Sequence, residues 1–272
     1  MNLRGWTTSS PIVYSAIPHH LQDTRKSVLL FGLIWNIKKV TLKINQPKFF
    51  EGFVTLKTIL QNTSKVYDPL GLVSPVILRS KFLMRTLREQ NNALNDQISN
   101  KEILGEWANI QRDFKDLSGF EYKCRIDCLT STEIHTFLDS SAKEYSFIIY
   151  AQTPHPTHTA INPLFAKARI TPPRKITIPK LELLAASLAA IATEFILDAL
   201  EPVIRPSVFL WTDSKCTLAR IYGMKILPSY EQNCIKQIRK VNNLQVKFVP
   251  GSQNPANIAS RGATWAELQL SI

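Results

Sequence analysis

The stretch FLDSS at residues 137–141 ends an apolar, strand-like run with a carboxylate, Asp139. The stretch LWTDS at residues 210–214 repeats this arrangement, because Asp213 follows a second apolar run and precedes a helical pattern. Short apolar runs with polar residues at their ends are typical of buried strands. The two stretches therefore predict two strands, each with an acid at its end.

A third acidic stretch, PKLEL at residues 179–183, places Glu182 in the first turn of a long predicted helix that Pro179 opens. Two strand ends and one helix start can bring the three carboxylates to one point. Clustered carboxylates repel one another unless a hard cation neutralises them, and Mg²⁺ is the usual cation for oxygen ligands. The pattern predicts metal-assisted phosphoryl transfer with two ions.

Regular elements surround these stretches from residue 134 onward, in the order strand, strand, strand, helix, strand, helix, helix, strand. The predicted strands cover 134–139, 145–151, 160–169, 207–212 and 244–249, and the predicted helices cover 179–200, 214–223 and 229–240. Three antiparallel strands followed by helix-linked strands make a mixed sheet. The predicted fold class is therefore α/β, with a five-stranded mixed sheet and flanking helices.

The residues before this sheet are predicted to be mostly helical, after an N-terminal β-hairpin. The hairpin pairs Ser27–Trp35 with Lys39–Ile44 across a turn near residues 36–38. Helices are predicted over 56–67, 75–90 and 101–117, and a link without regular pattern over 119–130. For the second helix we predict Ser74 as the N-cap and Pro75 as the first helical residue.

Five motifs, in this order and spacing, resemble the C-terminal part of the reverse transcriptase of Bel/Pao-type retrotransposons. They are MNLRGW at 1–6, YDPLGLVSP at 67–75, TIPKLEL at 177–183, LWTDS at 210–214 and VPGSQNPANIASRG at 249–262. The resemblance implies the end of a polymerase palm at 1–50, a helical thumb and connection at 51–128, and an RNase H-like domain at 129–272. The same region is commonly labelled a Pao retrotransposon peptidase family.

The resemblance also implies an activity, the Mg²⁺-dependent cleavage of RNA in RNA–DNA hybrids, with two Mg²⁺ or Mn²⁺ ions. Carried over by motif, Asp139, Glu182 and Asp213 are metal ligands. Asn257 takes the fourth catalytic position, where relatives carry an aspartate. An amide offers a carbonyl oxygen but no charge and cannot act as a general base. We therefore expect weakened binding of one metal ion and slow turnover.

Two other functions stay open on the sequence. A non-catalytic, nucleic-acid-binding remnant of a retrotransposon polyprotein would keep the fold and lose the chemistry through Asn257. An aspartic peptidase would need Asp-Thr/Ser-Gly, and neither Asp139 nor Asp213 lies in such a triplet. The paired aspartates that the family places in the polymerase active site have no counterpart here, so no polymerase activity is expected.

The charge of the chain favours an anionic partner. Its net charge is +12 over 272 residues and its pI is about 9.6, which indicates nucleic acid. Basic residues near the acids are candidates for phosphate contacts, namely Lys167, Arg169, Arg174, Lys175, Lys180 and Arg261. The expected partners are an RNA–DNA hybrid or another nucleic acid, and the upstream polymerase portion of the polyprotein.

Cysteine spacing and hydropathy indicate a reduced, intracellular protein. The four cysteines lack the spacing of a zinc site. The N-terminus has no apolar signal core, and no run of about 18 apolar residues is free of charge. We therefore expect a location in the cytoplasm or nucleus and no contact with a membrane.

Overall fold

The computed structural model describes residues 5–45, 47–124, 131–155, 157–173, 176–201, 203–224 and 226–271. Their buried apolar side chains form two large clusters. One lies among the helices that precede the predicted sheet, and the other lies between that sheet and its helices. A small third cluster of Leu78, Ala168 and Ala259 joins segments from both parts of the chain.

The first part contains a short helix and a four-stranded antiparallel sheet. These elements are α1 (Pro11–Ala16), β1 (Ser27–Leu30), β2 (Leu33–Asn36), β3 (Thr41–Ile44) and β4 (Glu121–Lys123), and the strands pair in that order. The hairpin between β2 and β3 confirms the predicted turn near residues 36–38. Strand β4 was not predicted, because three residues in a polar stretch give no pattern.

One predicted strand of this sheet was wrong. Residues 27–35 do not form one strand, because the chain reverses at Phe31 and Gly32 and pairs β1 with β2. Their φ values are 47° and 83°, the left-handed conformation that a two-residue hairpin turn requires at both positions. The glycine inside an otherwise apolar run was the signal for this turn.

Three helices follow where they were predicted. They are α2 (Leu56–Ser64), α3 (Ser74–Glu89) and α4 (Lys101–Asp116). The predicted N-cap of α3 was wrong, because Val73 takes that position and Ser74 is already helical. The two backbone N–H groups just before α3 bind the carboxylate of Asp68 instead. Asp68 accepts from Leu72 N at 3.1 Å and from Val73 N at 3.0 Å.

Helix α2 begins with a capping box, and this gives a first testable prediction. Thr55 Oγ1 accepts from Thr58 N at 3.1 Å, and Thr58 Oγ1 accepts from Thr55 N at 2.8 Å. Thr55→Ala is expected to lower the free energy of unfolding by about 1 kcal/mol in urea denaturation, while Thr55→Ser keeps most of it. Equal losses for the two variants would contradict the capping role.

The second part contains the predicted five-stranded mixed sheet, which is confirmed. Its strands are β5 (Glu133–Ser140), β6 (Glu144–Pro154), β7 (Thr159–Ile170), β8 (Ser207–Thr212) and β9 (Leu244–Phe248). The order across the sheet is β7-β6-β5-β8-β9. Strands β5, β6 and β7 are antiparallel, whereas β8 is parallel to both β5 and β9. Strand β5 is therefore central and carries Asp139 near its end.

One face of this sheet is covered by helices at the predicted positions. These are α5 (Ile178–Leu200), α6 (Lys215–Tyr222) and α7 (Ser229–Ile238). Helix α5 buries Leu181, Leu183 and Ala185 with the inward side chains of β5 and β6, and the hydroxyls of Thr136 and Thr193 hydrogen-bond at 2.8 Å.

By length and composition, α5 is the single helix in the described part of the chain that could cross a membrane. The core helix of a soluble protein passes the same test. Here α5 packs against the sheet, and its buried side chains share a hydrophobic cluster with β5 and β6. The absence of membrane contact stays a prediction.

Two short helices were not predicted, α8 (Asn257–Arg261) on the other face of the sheet and α9 (Trp265–Gln269) beside α3 and α4. Five residues are too few to display a helical period in a sequence. Helix α8 packs on the strands β5, β6 and β7 and on α3. After α8 the chain leaves the sheet, and Ala263, Trp265 and Leu268 join the hydrophobic cluster of α2, α3 and α4.

The residues before α3 contact the outer strand of the sheet. Ala166 N in β7 donates to Leu70 O at 2.8 Å, and Gly71 lies directly against Ala166 with φ at 71°. A loop that covers an edge strand protects it from pairing with another chain. The predicted boundary between residues 128 and 129 lies outside the described residues and stays a prediction.

Candidate active site

Two of the predicted acids end neighbouring strands. Strands β5 and β8 are parallel, and the last aligned pair is Phe137 with Trp211. Asp139 and Asp213 each come two residues later, so they lie beside each other at the carboxyl edge of the sheet. Neighbouring strands are about 4.8 Å apart. Both side chains are half-buried.

The third acid, Glu182, reaches the same edge from the first turns of α5. Its Oε2 accepts a hydrogen bond from the hydroxyl of Ser214, the residue after Asp213, and a longer one from Thr217 Oγ1 at 3.4 Å. Ser214 also caps α6, because its Oγ accepts from Thr217 N at 3.1 Å. The start of α6 therefore fixes the orientation of Glu182.

The three carboxylates share one electrostatic environment. Burial raises the pKa of Glu182, and the negative charges of Asp213 and Asp139 raise it further, although the Ser214 hydroxyl opposes them. Burial also raises the pKa of Asp213, followed by the charge of Asp139. Like charges held close together disfavour ionisation in this way, and a cation between them would reverse the effect.

The fourth predicted residue, Asn257, is the first residue of α8 and lies in the same region. Its Nδ2 donates to Gly251 O, and a Cβ atom at Gly251 would lie 3.2 Å from Asp213 Oδ2. Asn254 Nδ2 donates to Leu138 O at 2.8 Å, which attaches this segment to β5 immediately before Asp139. The segment that contains Asn257 thus contacts β5 beside Asp139 and approaches Asp213 at Gly251.

The chemical type of the available ligand atoms suits a hard cation, because the site offers carboxylate and amide oxygens. Among the described residues, however, no group of three or more His, Cys, Asp or Glu side chains is arranged to hold a metal ion. Glu182 is turned to Ser214 and Thr217, so the third carboxylate does not complete a cluster in this geometry. Asp139 and Asp213 form the pair around which an ion would bind.

A groove of about 1320 Å³ lies over this face of the sheet. Asp139, Asp213, Asn257 and Arg261 all line it. Aromatic side chains that sequence reasoning missed also line the groove, namely His135, Phe137, Tyr150 and Trp211. The rings of Phe137 and Trp211 are stacked, with centroids 5.9 Å apart. Rings at alternate positions, His135 and Phe137 on β5 and Phe209 and Trp211 on β8, were the signal that could have indicated this aromatic face.

The basic residues predicted to contact phosphate are distributed over different surfaces. Arg261 is exposed and lines the same groove as Asp139 and Asp213. Lys167 and Arg169 are exposed on β7 but line a different, largely apolar cleft together with α5. Lys180 is half-buried in the first turn of α5, close in sequence to Glu182. Arg174 and Lys175 lie outside the described residues.

Two polar side chains of β6 that were not among the predicted site residues lie on the face that carries Asp139. Ser146 is opposite Asp139 in the register, is fully buried, and donates from its hydroxyl to Ala256 O at 3.2 Å. Glu144 is two residues earlier on the same face and has no exposed surface. The prediction began this strand at residue 145 and therefore left Glu144 in a loop.

The strand order and the acids at the carboxyl edge define an RNase H-like protein. A family model described as the Pao retrotransposon-like RNaseH-like domain matches residues 55–214, more than half of the chain, and the chain belongs to this family. No curated protein matches the sequence. The matched region begins one residue before α2 and ends at Ser214, so it includes segments of both parts of the chain.

Several solved structures are similar to this chain at low identity. LC11-RNase H1, isolated from compost by a metagenomic approach, is 16% identical over 52% of this chain and 99% of that chain, with a TM-score of 0.36. An N-terminal RNase H domain from Mycobacterium tuberculosis is 15% identical over 52% and 100%, with a TM-score of 0.35. A foamy viral protease-reverse transcriptase, in complex with dsDNA, is 12% identical over 83% and 45%, with a TM-score of 0.32.

Proposed function

We propose that the chain is a two-metal endonuclease of the RNase H type, which cleaves the RNA strand of RNA–DNA hybrids and is weakened by Asn257. One observation carries the proposal. Asp139 and Asp213 end neighbouring parallel strands, and Ser214 holds Glu182 beside them. Membership of a family with an RNase H-like domain supports the same reaction class.

Asp139, Glu182 and Asp213 would hold Mg²⁺ or Mn²⁺, which at such sites activates a water and stabilises the leaving oxygen of a phosphodiester. Glu182 would exchange its bond to Ser214 for this role. Asn257 can offer only a neutral Oδ1, since its Nδ2 already donates to Gly251 O, and it cannot accept a proton from water. Arg261, exposed in the groove, is suited to bind a phosphate of the substrate.

A second candidate function is binding of nucleic acid without cleavage. The neutral side chain at position 257 favours it, because this position lacks the charge that a fourth acid would bring. The net charge of +12 suits either function. A cleavage assay separates the two.

The test uses a labelled RNA–DNA hybrid with Mg²⁺ or Mn²⁺. We expect slow cleavage by the parent and a loss of at least about 100-fold in Asp213→Asn, because the variant removes a charged ligand from the pair. Asn257→Asp is expected to raise the rate by about tenfold, which corresponds to about 1.4 kcal/mol. Asp198→Asn is the matched control, because Asp198 is exposed near the far end of α5 and is expected to leave the rate unchanged.

Each outcome of this assay decides between the candidates. Cleavage that depends on Asp213 but not on Asp198 supports the nuclease. Activity that appears only in Asn257→Asp identifies a binding protein that has kept the fold and lost the reaction. If no variant cleaves the hybrid while the parent still binds it, the proposal of a nuclease is wrong.

A further inference from the structure

Glu144 is a buried acid with an unsatisfied oxygen at the edge of the candidate active site. It is the first residue of β6 and has 0% exposed surface. Its Oε1 accepts from Ser141 Oγ at 3.2 Å, but Oε2 is buried and has no hydrogen-bond partner among the described residues. Burying a carboxyl oxygen that makes no hydrogen bond costs folding free energy. Such an oxygen therefore indicates a position where a bound ligand would contact it.

The register of the sheet places Glu144 near Asp139. Asp139 is opposite Ser146, so Glu144 lies diagonally across from Asp139 on the same face. Diagonal neighbours have backbone positions about 7–8 Å apart, which long side chains can bridge. Burial, followed by the charge of Asp139, raises the pKa of Glu144 to about 9, which is consistent with this proximity.

No basic side chain among the described residues forms an ion pair with Glu144. The nearby guanidinium of Arg85 donates to Lys143 O and Thr171 O, both at 3.4 Å, and pairs with Glu89. In the part of the chain that the structure describes, no cationic side chain therefore compensates the negative charge that Glu144 carries when ionised. A divalent cation beside Asp139 would compensate it.

Strand β6, which begins with Glu144, also contacts the segment in which Asn257 replaces the expected acid. The Ser146 hydroxyl, two residues further along β6, donates to Ala256 O immediately before Asn257. Strand β6 and the start of α8 thus lie on the same side of Asp139. Strand β6 provides an additional acid, Glu144, whereas α8 provides an amide, Asn257, in place of an acid. We propose that Glu144 is the fourth carboxylate of the metal site and supplies the charge that Asn257 lacks.

This inference rests on the proposed function, and its test measures metal binding instead of cleavage. Mn²⁺ is titrated into the full chain in a calorimeter, and circular dichroism checks that each variant is folded. Glu144→Gln keeps the size of the side chain and is expected to weaken Mn²⁺ binding by at least about tenfold. Glu144→Asp keeps the charge and is expected to retain more affinity than Glu144→Gln. Asp198→Asn again serves as the control acid.

A second substitution tests whether the two positions share one role. If Glu144 replaces the missing acid, Asn257→Asp improves Mn²⁺ affinity more in the Glu144→Gln background than in the parent, because the parent already has its fourth carboxylate. Equal gains in both backgrounds, or unchanged affinity in Glu144→Gln, overturn the inference.

The proposed function fails separately. The proposed function is wrong if the parent binds no Mn²⁺, or if Asp213→Asn does not change the Mn²⁺ affinity. Binding that is lost in Asp213→Asn but unchanged in Glu144→Gln leaves the proposed function intact and removes only the role of Glu144.

Discussion

Gly71→Ala is expected to lower the free energy of unfolding by more than about 3 kcal/mol. Gly71 has φ at 71°, which disfavours any residue with a Cβ by about 1–2 kcal/mol. The added Cβ would also lie 1.7 Å from Ala166 O and 2.6 Å from Ala166 C. These are backbone atoms of β7, so relief requires the loop and the sheet to separate, with loss of the hydrogen bond from Ala166 N to Leu70 O.

The measurement is chemical denaturation of Gly71→Ala beside Gly105→Ala. Gly105 lies inside α4, and its added Cβ would have no neighbour within 4 Å. Alanine is the better helix former, so this control is expected to gain about 0.5–1 kcal/mol. A loss below about 1 kcal/mol in Gly71→Ala would contradict the close contact between the loop and β7.

Glu144→Gln is expected to stabilise the metal-free protein, and increasingly so as the pH rises. Burial, followed by the charge of Asp139, raises the pKa of Glu144 from 4.5 to about 9. Between these values the folded state keeps a proton that the unfolded state has lost, so the stability of the parent falls as the pH rises through this range. The slope is up to about 1.4 kcal/mol per pH unit, and glutamine has no such slope.

The effect is measured with EDTA present, as the difference in unfolding free energy between Glu144→Gln and the parent at pH 5 and at pH 8. That difference is expected to grow by up to about 4 kcal/mol over these three pH units. Comparing the two proteins at each pH cancels the titration of the groups that they share. A difference that is constant with pH would contradict the raised pKa of Glu144.

The mixed sheet was predictable because its strands and helices are long and periodic. Strand β5 alternates buried Ile134, Thr136 and Leu138 with half-buried neighbours, and the acid at its end follows the last buried residue. The positions of Asp139 and Asp213 then follow from parallel pairing of the two strands. The strands follow from the local pattern of apolar and polar residues. Their parallel pairing follows from the helix that connects β7 to β8, and this order of elements is visible in the sequence.

The features that the sequence did not reveal depend on contacts between distant segments. The turn at Phe31 and Gly32 divides an apolar run that reads as one strand. The burial of Glu144 depends on Ser141 across a tight turn and on a neighbouring strand, and no local pattern makes an acid buried. The motifs shared with relatives assigned roles to Asp139, Glu182 and Asp213. Glu144 lies outside these motifs, so they gave it no role.

Helix α9 has a consequence for the order in which the protein folds. Trp265, 7% exposed, packs edge to face on Phe120, and its backbone N donates to Asp113 Oδ1 at 3.2 Å. Helices α2, α3 and α4 are synthesised before α9, so they lack part of their hydrophobic core until residues 263–268 have been added. During synthesis this early segment exposes apolar surface while the whole sheet is being made, which is the interval in which aggregation and chaperone binding compete with folding.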